Sequence, residues 1–516
     1  MEAVFLPAAL ATHAPVLAAV VPLFMAAVLV AIPNGRFAWA VALASTVFTL
    51  FMAFELVAQT RLVEVVSYHL GGWAPPYGIE FRVDRLNSAI VLLIGAMGVL
   101  ATVFALPSVA DEISADKRGL FYAAFLVCFS GLNGVALTGD AFNLFVFLEI
   151  SSLGTYAIVA MGHQNDRRAL TASFNYLVMG TIGATFFVIG VGFLYMATGT
   201  LNMADIARIV VDMPGNRVIE VAFAFILVGI GLKAALFPLH LWLPNAYAFA
   251  PNFVTVFLAT TATKVAFYVI IRFLFDVFYP GSAFVEMSLL WVVTPLAILG
   301  MILASAQAIF QVDARRLLAY SSVAQVGYMM LGLGIGTALG VSAGVLHLLN
   351  HALMKGALFI ALGAFAYSYG VRRIADFRGL GQAMPGVAAA FTIGALSLVG
   401  VPFTVGFISK FYLIQAALAS GWWWAVAAIV VSSVLAVFYV YRILVVMWVQ
   451  PAPAGRERIR AVPLMILVPL WILVFANIYF GIDASFMVDL SSAAAEAAIN
   501  GSATVAEAAP GGEAGR

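Results

Sequence analysis

About fourteen stretches of this chain stay apolar for roughly 20 residues, the length needed to cross a hydrocarbon core of about 30 Å. They fall near 14–33, 38–58, 86–109, 119–138, 141–162, 171–198, 218–241, 252–275, 284–306, 316–338, 341–368, 386–409, 422–447 and 461–482. Lipid offers the backbone no hydrogen-bond partner, so runs of this kind must be helices that satisfy their own N–H and C=O groups. The fold class that follows is all-α, a polytopic membrane protein of about 14 transmembrane helices. Charged residues make up 9% of the chain, where soluble domains carry about 25%. A net charge of +1 leaves no electrostatic footprint for nucleic acid, so the lipid bilayer is the partner that composition demands. Cys128 is the single cysteine, and no Cys/His cluster has the spacing of a metal site; neither metal nor cofactor is expected. The first apolar run lacks a basic leader segment and a cleavage site and reads as a retained helix.

Most connections are short. The exception, 59–85, carries YHLGGWAPPYGIEFRVD, whose Gly, Pro and alternating apolar residues predict a hairpin outside the membrane. Arg and Lys fall mostly on one set of loops: Arg36, Lys117, Arg118, Arg167, Arg168, Arg315, Arg316, Arg372, Arg373, Arg378 and the 456–460 cluster. By the positive-inside bias that set is cytoplasmic, with both termini outside. Two spans are interrupted. Pro238 and Pro244 follow Lys233 in GLKAALFPLHLWLP, and Gly400, Pro402 and Gly406 precede Lys410 in SLVGVPFTVGFISK. A proline there frees the carbonyl four residues back, Ala234 or Leu398. Such backbone is tolerated only inside protein or beside water, and paired broken helices mark an ion path. The breaks predict two five-helix repeats, 119–275 and 276–447, after an N-terminal three-helix segment, 1–118. A final transmembrane helix within 448–482 and a disordered Ala/Gly/Glu-rich tail, 483–516, complete the chain.

The chain has only five lysines, and Lys233, Lys264, Lys355 and Lys410 lie inside apolar segments, while arginines collect at segment ends. Arginine stays charged almost everywhere, whereas burial lets a lysine give up its proton. A charge near a helix centre costs about 2.5–3.5 kcal/mol on insertion scales, so each buried lysine is a functional candidate. Glu149, in DAFNLFVFLEISSLG, reads as the only carboxylate well inside a span and needs a cationic partner. Lys233 borders the first break. Lys264 has Thr260, Thr261 and Thr263 near it. His347, His351 and Lys355 follow at i, i+4 and i+8 on one helix face, a spacing suited to proton relay. Lys410 follows the second break as a terminal group. His240, Asp140 and His163 are weaker candidates near breaks or helix ends.

Together these segments resemble the antiporter-like subunits shared by Mrp-type Na+/H+ antiporters, respiratory complex I and membrane-bound hydrogenases. The matching stretches are LGGWAPPYGIEFRVD, FNLFVFLE, GLKAALFPLHLWLPNAYAFAP, TKVAFY, RRLLAYSSVAQVGYMMLG, HLLNHALMKGALF and GFISKF, over about 70–411. The resemblance implies that the two five-helix repeats are inverted and that Glu149, Lys233, Lys264, the His347/His351 helix and Lys410 transfer protons. FNLFVFLE, and lysine rather than glutamate at 410, look most like the Mrp D subunit. Phe403 departs from the pattern, standing where relatives usually have a second proline. The expected function is a secondary-transport subunit, not an enzyme, moving H+ in a multisubunit monovalent cation (Na+) antiporter. Other membrane subunits are its partners, in the cytoplasmic membrane of a bacterial cell. The alternative is a proton-pumping membrane subunit of a complex I-like or hydrogenase assembly, with redox chemistry on partner subunits.

Overall fold

The computed structural model describes residues 5–32, 34–164, 166–278, 282–455 and 459–507. The first crossings are α1 (Ala8–Ala31), α2 (Gly35–Leu62) and, after the hairpin β1 (Val66–His69) and β2 (Glu80–Val83), α3 (Arg85–Glu112). The hairpin is antiparallel, pairing Val66 with Val83 and His69 with Glu80. Next come α4 (Arg118–Leu137), α5 (Ala141–Ala160), α6 (Arg168–Thr198) and the short α7 (Met203–Val210). The first interrupted crossing is α8 (Arg217–Lys233) and α9 (Leu243–Phe249). The following span is kinked at Thr261 into α10 (Asn252–Thr260) and α11 (Ala262–Ile271), and runs on as a π-helical turn, Arg272–Val277. Then follow α12 (Ala283–Ser288), α13 (Thr294–Ile309), α14 (Ala314–Gly334), α15 (Ala338–Tyr369) and the short α16 (Leu380–Ala383). The second interrupted crossing is α17 (Pro385–Val399) and α18 (Val405–Ala419), before α19 (Trp423–Trp448), α20 (Leu464–Ile482) and α21 (Ser485–Glu507). Twelve stretches among the described residues are long and apolar enough to cross a membrane, and the two interrupted crossings complete the fourteen expected.

Burial runs opposite to the order of a soluble protein. The least hydropathic spans, α14 and α15, are almost entirely buried, while strongly apolar α1, α19 and α20 keep most of their surface outward. In lipid the apolar exterior costs nothing, and polar groups gain by facing one another inside. α15 is the central pillar, touching α3, α10, α14, α17, α18, α20 and α21.

Both breaks occur where the prolines place them. α8 stops at Lys233, and the chain passes Ala235 at φ 57° before α9 begins beyond Pro238. α17 stops at Val399, with Gly400 at φ 95° and Phe403 at φ 67° carrying the chain into α18. Gly406 is needed by close approach, since a Cβ there would lie 1.8 Å from the Ser397 carbonyl oxygen. The C-terminal expectation requires correction. The segment read as a disordered tail from 483 forms α21, which packs on α3 and α15 with Ala494, Ala495 and Ala498 buried. Ala and Ser are poor hydrophobes but good close-packing residues, so composition alone underrated this helix. Residues 508–516 of that tail, and Arg456 and Arg458 of the basic cluster, lie outside the described residues.

Candidate functional site

Glu149 on α5 and Lys233 at the end of α8 come together. Lys233 Nζ donates to Ser152 Oγ at 2.6 Å and stands 3.6 Å from Glu149 Oε1. That separation is an ion pair but longer than a hydrogen bond. Ser152, one turn beyond Glu149, donates its hydroxyl hydrogen bond to the Leu148 carbonyl at 2.7 Å, so its lone pair faces the ammonium. The lysine is buried and the carboxylate side chain is 26% exposed.

The other three buried lysines have no carboxylate partner among the described residues and are solvated by backbone carbonyls and hydroxyls. Lys264 Nζ donates to the Ala259 carbonyl, beside the Thr261 kink, and to Thr263 Oγ1 at 3.3 Å. Lys355 Nζ donates to the Leu318 carbonyl at 2.8 Å and Ser321 Oγ at 2.5 Å, both on α14. Lys410 Nζ reaches back across the second break to the Leu398 and Val399 carbonyls, at 3.1 and 2.9 Å, and to Ser433 Oγ at 3.1 Å. Leu398 is the carbonyl that Pro402 frees, so the lysine replaces the missing backbone donor.

α15 carries His347 and His351 between these lysines. His347 Nδ1 lies 2.8 Å from Ser409 Oγ, and Nε2 lies 2.8 Å from Gln325 Oε1, so Nε2 carries the proton in the neutral ring. The rings of His347 and His351 are parallel, with centroids 6.4 Å apart. Lys264 is near enough to act electrostatically on His347, His351 and Lys355, as Lys410 is on His347. Tyr328 links the two ends: its ring is 5.4 Å from that of His347, and Lys410 Nζ lies 4.8 Å above it.

Ser152, Gln325, Tyr328, Ser409 and Ser433 were missed at the level of sequence. Their only signal is helical spacing, since Ser152 follows Glu149 by three residues and Tyr328 follows Gln325 by three. Of the weaker candidates, Asp140 caps α5 by accepting the Asn143 N–H at 2.7 Å, and His163 bonds the Ala160 carbonyl at 3.0 Å. His240 lies in the first break, stacked on Phe237. Glu149 is not the only carboxylate deep in a span. Glu55 on α2 is fully buried and accepts the Phe5 and Leu6 N–H groups at 2.8 and 3.2 Å, tying the start of α1 to α2.

Two further ion clusters join distant loops. Arg372 binds Asp166 Oδ2 at 2.7 Å, Asp313 Oδ2 at 2.6 Å and the Ala248 carbonyl at 3.0 Å. The Phe249 ring, at the end of α9, is held between Arg168 and Arg372 at 4.5 and 4.9 Å. On the hairpin side, Arg272 grips Asp84 and Asp276.

A fold of this kind, with twelve membrane-length apolar helices, two interrupted crossings and protonatable groups strung through the interior, defines a multi-span membrane protein. Residues 138–436 match the family described as NADH:quinone oxidoreductase/Mrp antiporter, TM, and the chain belongs to that family. It is 40% identical over 485 residues to NADH-quinone oxidoreductase subunit N of Desulforudis audaxviator, covering 91% of this chain and 96% of that one. It is 35% identical over 353 residues to the D subunit of the Na(+)/H(+) antiporter of Alkalihalophilus pseudofirmus, covering 68% and 70%. Its fold is similar to a chain of the Mrp complex from Dietzia sp. DQ12-45-1b, with a TM-score of 0.87 and 27% identity over 96% of this chain and 99% of that one.

Proposed function

We propose that the chain is the proton-translocating subunit of a multisubunit monovalent cation/proton antiporter, with Na+ as the exchanged cation, in a bacterial cytoplasmic membrane. It acts as a secondary transporter subunit and not as an enzyme. Both termini face outward, and two five-helix units, 119–275 and 276–447, each contribute one broken helix. The observation that carries this reading is the loose pair of Glu149 and Lys233. At 3.6 Å and an effective dielectric of about 20, the attraction is worth about 4–5 kcal/mol, enough to hold the pair and small enough to be broken by one nearby charge. Lys264, His351, His347 and Lys355 form the central relay, and Lys410 is the terminal group. A proton arriving on the relay repels Lys233, shifts it toward Glu149 or strips its proton, and so ties relay occupancy to the state of the pair.

The test is Glu149→Gln in the assembled complex. Coupled proton transport in membrane vesicles should fall to background while the chain stays in the membrane at wild-type level. Unchanged transport would refute the pair's role. A second reading is favoured by the 40% identity to an NADH-quinone oxidoreductase subunit: a pumping module driven by redox partners. Affinity purification from native membranes separates the two, because iron–sulfur or flavin subunits copurify only under the second.

A further inference from the structure

Four polar side chains lie four residues apart on the span after the first break: Lys264, Tyr268, Arg272 and Asp276. In an α-helix each step of four turns the face by about 40°, which would carry the row off course. The π-helical turn at Arg272–Val277 winds more loosely and turns it back, so Arg272 and Asp276 still pair. Twelve residues at 1.5 Å each make a row of about 18 Å, from mid-membrane to the hairpin-side surface. Tyr268 hydroxyl donates to the Ala136 carbonyl at 3.0 Å and accepts Arg272 Nε–H at 3.2 Å. Arg272 forks onto Asp84, at 2.6 and 3.0 Å, and also binds Asp276.

The row ends in a cavity of about 290 Å³, which Arg272, Asp84 and Asp276 line together with Arg82, Thr138 and Glu496. At about 30 Å³ per molecule it has room for roughly ten waters. Its walls are suited to them, because Arg82 Nε and Asp276 Oδ1 are buried without a protein hydrogen-bond partner. Anchoring alone does not explain the row. Well-packed apolar residues join helices at least as firmly as a buried ion cluster, which must first offset its desolvation.

We propose that this cavity is the hairpin-side mouth of a proton route to Lys264, with Tyr268 as its carrier hydroxyl and the Arg272–Asp84–Asp276 cluster as its gate. The proposal rests on reading Lys264 as a relay group. With the cluster closed, the guanidinium lies against the phenol and its positive charge bars the way. Asp276 faces Arg272, Asp84 and Arg82. A proton from cavity water that lands on the Asp276 carboxylate removes its hold on the guanidinium. Arg272 then stays with Asp84, and water reaches Tyr268. Through that water the phenol passes its proton on to the neutral Lys264 amine and is reprotonated from Asp276, which returns to the carboxylate and closes the gate, so one proton leaves the cavity and one arrives on the lysine.

Two measurements on the assembled complex test this. Tyr268→Phe keeps the ring and removes the carrier; vesicle proton transport should drop at least tenfold at unchanged complex level. Separately, Thr138→Cys in a Cys128→Ser background should be modified by a membrane-impermeant thiol reagent. Labelling, verified by mass, should block the transport measured in the same vesicles beforehand, in only one of right-side-out and inverted preparations. Wild-type transport in Tyr268→Phe overturns the route, as does a thiol that is unreactive from both sides or whose labelling leaves transport unchanged. Should Tyr268→Phe fail to assemble, the labelling result decides. Glu149→Gln, run in parallel, separates the two readings. If it is dead while Tyr268→Phe is active, the route alone fails; if it is active, the reading beneath it fails.

Discussion

Lys264 shows what a single side chain contributes and what can replace it. It is fully buried, and its ammonium is served by one carbonyl and one hydroxyl, with no counter-charge. An arginine would keep the charge but hold its proton at any accessible pH. Lys264→Arg should therefore lose transport nearly as fully as Lys264→Ala, measured as initial rates of vesicle acidification at matched protein level. Strong activity with arginine and none with alanine would show that a fixed charge suffices. The buried lysines were legible in the sequence because a charge inside an apolar run has no bland neighbour to hide behind. Their partners were not. Ser152, Ser409 and Ser433 resemble every other serine in a span, and Lys410 finds Ser433 only because α18 packs on α19. Asp84 and Arg272 meet across 188 positions of sequence, a pairing that no local pattern encodes.

At the scale of elements, the broken helices were legible because proline and glycine act on the backbone directly. The left-handed Phe403 was not. At φ 67° it adopts a conformation that proline cannot, so a proline at 403 would not fit this break as it is built here. The latch around Arg372 belongs to the same scale, because it fixes α9 through Phe249 and Ala248. The hydrogen bonds of Arg168, and then those of Arg372, hold the Asp166 carboxyl well below the usual carboxylate range. A carboxyl depressed in this way stabilises the fold fully above its unfolded value near 4, and the contribution fades only as pH falls through the lower folded value. Asp166 therefore stays charged between pH 5 and pH 8. Arg372→Gln should lower the transport rate several-fold without changing the shape of its pH profile over that range. A profile that shifts with the mutation would assign titration to the latch.

For the whole molecule, the spans were legible from hydropathy, whereas α21 was not, because its Ala/Ser composition matches that of a disordered tail. Along the proposed relay four lysines and two histidines are accompanied by one carboxylate, the partly exposed Glu149, while the buried Glu55 and Asp84 are held elsewhere by backbone N–H groups and Arg272. This is a surrounding that repels a metal cation and suits a proton, since a hard cation seeks several oxygens and negative charge. The purified single chain in liposomes should thus give little or no Na+-driven proton exchange by a pH-sensitive dye, with exchange appearing when companion subunits are present. Vigorous exchange by the chain alone, lost in Glu149→Gln, would make it a self-sufficient antiporter.

The way Lys410 spans the second break gives the proton a mechanical role. Charged, it brings three N–H donors to three acceptors; neutral, it keeps two, and one buried oxygen is left to find water. Each discharge of the lysine then amounts to a brief local wetting of the break. A cycle that must draw in water works against the thirst of the medium, so solutes too large to enter the protein should slow transport in proportion to their osmotic pressure. Smaller, penetrating solutes at equal osmolarity should not, and an equal effect of both would detach the helix break from the movement of charge.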